Sequence, residues 1–229
     1  MQEKGQHRII EAGFVKINNG KIIDELQLYF NPEGKKSDIG AYKAHRISSK
    51  FLKDKPVFKN KAEQIEEFIG NNTVVGHNVS FDINFLNAEF ERAGRAYRVK
   101  HENSIDTKDV AKESELKLAS YKLDSICQKL GINLNERKEK GHGALLDAKL
   151  TAQVYFVLSN KLEQEDKYYN LGDKRTIAED FDTPPPAKRN KVLDKILLEG
   201  KSGLNDLDEL KSLPRRSLRI ENKKVGFQL

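Results

Sequence analysis

The chain has 229 residues, enough for one sizeable domain and a tail, and 33% of its side chains are charged. Its net charge of +6 is compatible with a polyanionic partner, although such mild basicity does not identify one. The single cysteine, Cys127, excludes an internal disulfide, and no apolar run is long enough to span a membrane. Because no signal peptide opens the chain, we expect a cytoplasmic protein without a membrane partner, in which Cys127 is a small buried residue.

The first third of the chain predicts a β-hairpin followed by a helix. Residues 8–17 alternate in polarity and are rich in β-branched side chains, which predicts a strand. Asn-Asn-Gly at residues 18–20 is typical of a tight hairpin turn with positive φ, and residues 21–30 predict the partner strand. The polar residues 34–39 predict a loop, and residues 62–69 predict a helix with an apolar inner face.

A carboxylate follows the next predicted strand. Residues 73–76 predict a short apolar strand that ends in a turn, and a helix follows on which Asp82 shares a face with Phe85 and Leu86. The carboxylate therefore lies where a core-facing helix meets the carboxyl end of a strand, the usual ligand position in open α/β sheets. The alternative is that Ser80 or Asp82 only caps the helix.

The middle of the chain predicts two further elements. Residues 104–106 predict a short strand, and residues 122–130 predict a helix that Gly131 ends. We assign Asp106 to capping and sheet-edge hydrogen bonds. Residues 135–140 are charged and predict a flexible segment, which suits a histidine that moves into place when substrate arrives.

A histidine and an aspartate form the second chemical motif. His142 lies on a loop between two glycines, and Asp147 follows in a helix that continues through Leu150, Val154 and Val157 at helical spacing. A carboxylate at the start of a buried helix is costly unless something neutralises it, and a metal ion would do so. A histidine near such a metal would accept a proton from bound water. Taken alone, the motif is better explained by a loop histidine and an aspartate that favours the helix dipole, because this spacing is common by chance.

Together these motifs resemble the DEDDh family of 3′–5′ exonucleases, and within it the epsilon type that proofreads for bacterial DNA polymerase III. His-Asn-x-x-Phe-Asp at residues 77–82 is similar to the family's second exonuclease motif, and His-x-x-x-x-Asp at residues 142–147 is similar to its third. The segments 105–107, 121–124 and 131–132 follow in the family's order and spacing. The resemblance implies an α/β fold of the ribonuclease H-like type, in which helices flank a mixed sheet.

The resemblance also implies the domain organisation and the partners. It covers residues up to about 162, so we predict an exonuclease domain at residues 1–162 and a proline-bearing linker at residues 163–190. Residues 191–229 predict an amphipathic helical, basic tail. The implied partners are the single-stranded 3′ end of DNA and, through the tail, the catalytic subunit of a DNA polymerase.

Site residues follow from the resemblance as well. Asp147 would hold the metal that activates water, Asp82 would support a second metal, and His142 would be the general base. The implied cofactors are two Mg²⁺ or Mn²⁺ ions about 3.5–4 Å apart. The residues expected to surround the terminal nucleotide are His77, Asn78, Phe81 and His45. A surface or capping role is equally open for His45, which precedes Arg46 where the family usually has glycine.

One part of the family pattern is absent. The first motif, Asp-x-Glu on the central strand, would precede the turn in which Met1 falls. The resemblance therefore implies a sheet without its central strand, split into two halves with unpaired edges. It also leaves two carboxylates for two dications, whose repulsion would be poorly offset. We accordingly expect no 3′ trimming of single-stranded DNA with Mn²⁺.

Three interpretations stay open at this point. The chain is an exonuclease whose start lies upstream of Met1, a catalytically inactive product that binds DNA or a polymerase, or a gene fragment without a stable fold. The intact second and third motifs favour the first. An RNA-trimming 3′–5′ exoribonuclease would share the same motifs, so the sequence leaves DNA and RNA open as substrates.

Overall fold

A computed structural model of the chain describes residues 7–35, 37, 39–114, 116–172 and 224–228. None of the helices among these residues combines the length and the apolar character needed to cross a membrane. The strands are β1 (Glu11–Asn18), β2 (Lys21–Tyr29), β3 (Thr73–Gly76), β4 (Ser104–Asp106) and β5 (Lys224–Gln228). The α-helices are α1 (Ile39–His45), α2 (Ser49–Leu52), α3 (Ala62–Ile69), α4 (Val79–Arg92), α5 (Thr107–Glu113), α6 (Leu123–Lys129), α7 (Asn135–Lys140) and α8 (Ala144–Gly172).

The five strands form one mixed sheet in the order β2-β1-β5-β3-β4. β1 runs antiparallel to both β2 and β5, and β3 runs parallel to both β5 and β4. The predicted hairpin turn is present, because Asn19 and Gly20 adopt φ values of 48° and 73°. The predicted α/β class, a ribonuclease H-like mixed sheet with flanking helices, is confirmed.

The expected split of the sheet is wrong for the described residues, because β5 fills the position between β1 and β3. At its centre the buried Gly226 pairs with both Val15 and Val75. A Cβ at Gly226 would lie 3.1 Å from Val15 Cγ2, so this position favours the smallest residue. β5 carries neither aspartate nor glutamate, so it completes the sheet without adding a carboxylate.

Alternation along the strands builds one core on each face of the sheet. Phe14 and Val74 point into a core that contains residues of α3 and α4. Their neighbours Val15 and Val75 point into the opposite core, formed mainly by α5, α6 and α8. Cys127 is fully buried in this second core, as predicted, and burial raises the pKa of its thiol to about 11.

One local prediction differs from the structure, and one helix extends past a predicted domain bound. Residues 135–140, expected to be flexible, form α7, which a Lys140–Glu136 ion pair at 2.9 Å supports across one turn. Helix α8 continues to Gly172, beyond residue 162, and the predicted domain bounds stay a prediction. The helices predicted within residues 191–223 lie outside the described residues, while the described end of the tail is the strand β5.

Candidate functional site

A cleft of about 480 Å³ opens beside the segments that follow β3 and β4. Of the predicted site residues, four line this cleft: His77, Asn78, His142 and Asp147. Three cationic side chains, Lys108, Lys122 and Arg137, and one further carboxylate, Asp124, also line it. The structure therefore brings the second and third sequence motifs together and surrounds them with positive charge.

Asp106 shapes the wall of the cleft that contains Asn78. Asn78 adopts a left-handed conformation with φ 65°, which asparagine tolerates better than most residues. The carboxylate of Asp106 accepts hydrogen bonds from the backbone N–H groups of Asn78 (2.9 Å), Val79 (3.0 Å) and Lys108 (2.9 Å). It thereby caps the starts of α4 and α5 together, which confirms its predicted capping role.

His77 is fixed on both ring nitrogens. Its Nε2 lies 3.0 Å from the carbonyl oxygen of Tyr121, and its Nδ1 lies 3.0 Å from the hydroxyl of Thr107. A carbonyl oxygen only accepts, so Nε2 carries the proton. Burial lowers the pKa of His77 below its usual 6.5, which keeps the ring neutral. His77 therefore ties the β3–α4 turn to the segment that lines the opposite side of the cleft.

Arg137 connects the residues at the centre of the cleft. Its guanidinium donates a hydrogen bond to Asp147 Oδ1 and another, at 2.6 Å, to Nδ1 of His142. Its Nε lies 2.9 Å from Oδ1 of Asp124, within ion-pair distance. His142 Nδ1 is also 3.6 Å from Oδ2 of Asp147. Since Nδ1 accepts from the guanidinium, the proton of a neutral His142 lies on Nε2.

The carboxylate of Asp147 has the buried environment that its sequence position predicts. Its side chain is 14% exposed, on the first turn of α8, where its backbone N–H donates to the Gly143 carbonyl at 2.9 Å. Burial raises the pKa of Asp147 above its usual 3.8, while Arg137 and His142 lower it. In the arrangement described, Arg137 is the cation that pairs with this carboxylate.

The start of α8 is positioned by direct backbone packing against β1. A Cβ on Gly13 would lie 2.2 Å from the backbone nitrogen of Leu145, so only glycine permits this approach. Two residues earlier on β1, the buried Glu11 accepts a hydrogen bond from Gln27 Nε2 at 2.8 Å. Its Oε1 lies 3.8 Å from where a Cβ on Gly143 would be, beneath the His142 loop.

Three predicted site residues do not line the cleft. Asp82 is 1% exposed within α4. Phe81 is 54% exposed and packs on Phe85 with ring centroids 4.6 Å apart. Nδ1 of His45 accepts a hydrogen bond from the backbone N–H of Ile47 at 2.9 Å, which agrees with the capping alternative. The roles assigned to Asp82, Phe81 and His45 stay predictions.

Arg46 explains a departure from the family pattern. It adopts φ 56°, in the left-handed region where glycine is favoured, and this is the position at which the family usually has glycine. Its side chain reaches the segment before His142, because Nε lies 3.9 Å from where a Cβ on Gly141 would be. Arg46 thus adds positive charge close to the His142 loop.

Sequence reasoning missed Arg137, the most connected residue of the cleft. The sequence contains one indication that Arg137 faces inward. Arg137 lies three residues after the buried Leu134, and a helix would place both side chains on the same inner face. Predicting residues 135–140 as flexible hides that signal. Asp124 belongs to a segment whose spacing matches the family, but nothing local indicates that its carboxylate faces the cleft.

The donors of the cleft do not fit a resident divalent metal in the arrangement described. Among the residues that the structure describes, no three His, Cys, Asp or Glu side chains are grouped closely enough to hold an ion. Asp147 and Asp124 are both paired with Arg137, and Asp82 does not line the cleft. The expected pair of Mg²⁺ or Mn²⁺ ions on Asp82 and Asp147 is therefore not supported by this donor set.

Comparison with known sequences gives one family and several named relatives. A profile of the family described as Exonuclease matches residues 1–155. The DNA polymerase III subunit epsilon of Rickettsia prowazekii (strain Madrid E) is 37% identical over 172 residues, which cover 73% of each protein. The subunit of the same name from Rickettsia typhi (strain ATCC VR-144 / Wilmington) is 40% identical over 157 residues, 67% of this chain and 66% of the relative. The match thus spans about two thirds to three quarters of these relatives.

Two solved structures with a similar fold bear the name exonuclease. Exonuclease X, in a complex with 5′ overhanging duplex DNA, has a TM-score of 0.52 and 23% identity, over 68% of this chain and 85% of that one. A 3′-exonuclease described in specific recognition of a histone mRNA stem-loop has a TM-score of 0.54 and 18% identity, over 67% of this chain and 56% of that one. At these identities the likeness establishes the fold.

Proposed function

Because the chain belongs to the exonuclease family, as a relative of the subunits named epsilon, we propose that its cleft receives the 3′ end of a DNA strand for 3′–5′ exonucleolytic removal. One observation carries the proposal: His77, Asn78, His142 and Asp147, far apart in sequence, converge in one cleft with three cationic side chains. DNA is the proposed strand because the relatives are named as subunits of a DNA polymerase.

Binding of the strand follows from the charges and exposure of the lining residues. Lys108 and Lys122 offer ammonium groups to backbone phosphates, and these contacts position a strand without reading its sequence. Asn78, held by Asp106, presents an amide at the mouth of the same cleft. His142 is 53% exposed, so an incoming terminal nucleotide can reach its imidazole.

Proton transfer is the role proposed for His142. A neutral imidazole accepts one proton, and the nearby carboxylate of Asp147 would stabilise the imidazolium that forms. In the arrangement described, Nδ1 is bonded to Arg137 and Nε2 carries the proton, so the ring has no position left to accept one. General-base action therefore requires Arg137 to leave His142.

Hydrolysis in this fold family uses divalent metal ions. In the arrangement described, the donors of the cleft do not fit such an ion. A second candidate function, a 3′-end-binding module that does not hydrolyse its strand, is favoured by the bonding of Arg137 to Asp147 and His142. While Arg137 is bonded to Asp147 and His142, we expect the chain to bind 3′ ends without trimming them.

The salt dependence of binding tests the role of the cleft lysines. A fluorescein-labelled single-stranded 20-mer is titrated by anisotropy in EDTA, which excludes metal-dependent cleavage. Each lost phosphate contact lowers the slope of log affinity against log salt by about 0.7. The double variant Lys108→Ala with Lys122→Ala should therefore lower the magnitude of this slope by about 1.4.

The matched control replaces two exposed lysines that do not line the cleft, Lys50→Ala with Lys59→Ala, and should leave the slope unchanged. Equal slopes in the two double variants would refute binding in the cleft. The same titration with an RNA strand of equal sequence decides between DNA and RNA, since tighter RNA binding would contradict the DNA assignment.

Association with a polymerase subunit belongs to this proposal as well, because the relatives are named as subunits of a polymerase. The leucines of the tail, among them Leu207 and Leu210, lie outside the described residues and are the proposed contact. Co-purification with the catalytic subunit should be lost in Leu207→Asp with Leu210→Asp and retained in His142→Ala. Equal co-purification of both variants would exclude the tail as the contact.

A further inference from the structure

β5 is the strand that joins the two halves of the sheet. In the sheet that the described residues form, β1 and β3 pair not with each other but with β5, over five positions on β1 and three on β3. Neighbouring strands lie about 4.8 Å apart, so β5 keeps β1 and β3 about 10 Å from each other. Without β5, the facing edges of both strands would have unpaired backbone N–H and C=O groups.

The two walls of the cleft belong to these two halves of the sheet. Asp147 lies on the first turn of α8, which packs on β1 at Gly13. Asn78 follows β3, on the other side of β5. If β1 and β3 closed the gap that β5 leaves, one of them would move by about 5 Å toward the other. The distance between the two walls of the cleft therefore depends on a strand between β1 and β3.

The backbone of β5 is closely surrounded at its centre. A Cβ on Gly226 would lie 3.1 Å from Val15 Cγ2 and 3.8 Å from the carbonyl oxygens of Val75 and Ala148. These neighbours belong to β1, β3 and α8, and Gly226 itself is buried. A strand bound in this way is held largely by main-chain hydrogen bonds, as is a peptide that adds a strand to a sheet.

The connection to β5 is long enough for a strand from another chain to fill the same position. Residues 173–223 lie between α8 and β5. A connection of about 50 residues spans up to about 170 Å when fully extended, whereas a domain of this size has a radius of gyration of about 15 Å. The contacts of β5 with β1, β3 and α8 would be the same in both cases. The concentration of available strands therefore decides which strand binds.

We propose that the position between β1 and β3 is a strand-binding site, and that β5 of a second copy of this chain occupies it in exchange for the chain's own β5. The product is a dimer in which each copy donates residues 224–228 to the sheet of the other. The dimer forms when the chain concentration approaches the effective concentration of the tethered strand, at most about millimolar. Each cleft then depends on a strand from the other copy. The inference rests on the proposed function only in taking this cleft as the DNA site.

Binding of a separate strand is the first test. A fluorescein-labelled peptide of residues 222–229 is titrated by anisotropy into the full chain carrying Val225→Pro, which removes a backbone donor from the chain's own β5. The peptide should bind this variant about 100-fold more tightly than wild type, in which the tethered strand competes for the position. A peptide that itself carries Val225→Pro should bind neither protein. Equal binding to wild type and the variant, or no binding to the folded variant, overturns the proposal.

Ser217→Pro is the matched control, because it places a proline in the same tail but outside β5. Its affinity for the peptide should equal that of wild type. A gain equal to that of Val225→Pro would show that the change in affinity does not come from β5, and would overturn the proposal.

A second measurement uses wild type and so does not depend on how a variant folds. The chain is held at its urea midpoint at a low and at about millimolar concentration, returned to buffer, and analysed by size-exclusion chromatography with light scattering. A dimer should form only at the high concentration. A mixture of ¹⁵N-labelled and unlabelled chains should then give mixed dimers in native mass spectrometry. A wild-type chain that stays monomeric at the high concentration overturns the proposal.

The effect of the strand on the cleft is measured separately from strand binding. Adding the peptide to Val225→Pro should restore a preference for linear over circular single-stranded DNA in EDTA. Peptide binding without this recovery would overturn the dependence of the cleft on the strand. A wild type without any end preference would instead refute the proposed function. The peptide titration contains no DNA, so its result stands apart from that failure.

Discussion

The approach of β1 to α8 provides a quantitative prediction for Gly13→Ala. The added methyl carbon would lie 2.2 Å from Leu145 N, 2.3 Å from Ala144 C and 2.4 Å from Leu145 Cα. Ordinary contact begins near 3.4 Å, so the first turn of α8 must move away from β1 by about 1 Å. All three opposing atoms belong to the backbone, and no side-chain rotation relieves the overlap.

The expected cost has a structural and a functional part. Overpacking of this kind destabilises a protein by about 1–3 kcal/mol, which for a chain of this size lowers the melting temperature by roughly 2–12 °C. The same displacement carries Asp147 away from Arg137, and a shift of about 1 Å breaks a hydrogen bond. Gly13→Ala should therefore lower the stability of the protein and weaken the contact between Arg137 and Asp147.

Urea unfolding followed by circular dichroism measures the stability part. Gly143→Ala is the matched control, because it lies at the same helix start but its Cβ would meet only Glu11 Oε1 at an ordinary 3.8 Å. Its unfolding midpoint should change much less. If Gly13→Ala were as stable as Gly143→Ala, β1 and α8 would not pack as described.

Three further predictions concern pH, the sheet and catalysis. Burial lowers the pKa of His77, so protonation of its ring favours the unfolded state. The contribution of His77 to the free energy of unfolding is therefore fully present above about pH 6.5 and is lost as the pH falls through the lowered pKa. His77→Gln should reduce this pH dependence, whereas His101→Gln, at an exposed position, should leave it unchanged. Equal pH profiles of stability in wild type and both variants would refute the role of His77. Gly226→Val should lower the free energy of unfolding by about 1–3 kcal/mol, because the side chain would crowd Val15, and an unchanged urea midpoint would contradict the central position of β5. The chain should give no ladder from 5′-labelled single-stranded DNA with Mn²⁺; a ladder that disappears in Asp147→Ala would show that metal binds there despite Arg137.

Local patterns predicted most elements of the sheet and its helices. The bounds of α3, β3 and β4 agree with the sequence, because the apolar periodicity and the adjacent turn residues lie within each segment. The capping role of Asp106 also follows from local sequence, since a carboxylate immediately before a helix accepts from its first N–H groups.

Long-range pairing and side-chain reach could not be predicted in this way. Nothing in residues 224–228 indicates that they pair with β1 and β3, since a short strand pattern does not specify its neighbours. The motifs predicted a metal ion beside Asp147, whereas the pairing of Asp147 with Arg137 depends on the three-dimensional position of α7. Asp82 is a second example. Its position on the core-facing side of its helix was predicted from the sequence, but its side chain does not line the cleft.

Selectivity for a strand end tests binding in the cleft most directly. The affinity of the full chain in EDTA is compared for a linear single-stranded DNA and for the same sequence closed into a circle, which has equal charge per nucleotide but no 3′ end. We predict tighter binding of the linear strand and loss of this preference in Asn78→Ala. Equal affinity for the linear and circular strands would contradict a 3′-end site and leave only general binding to the phosphate backbone.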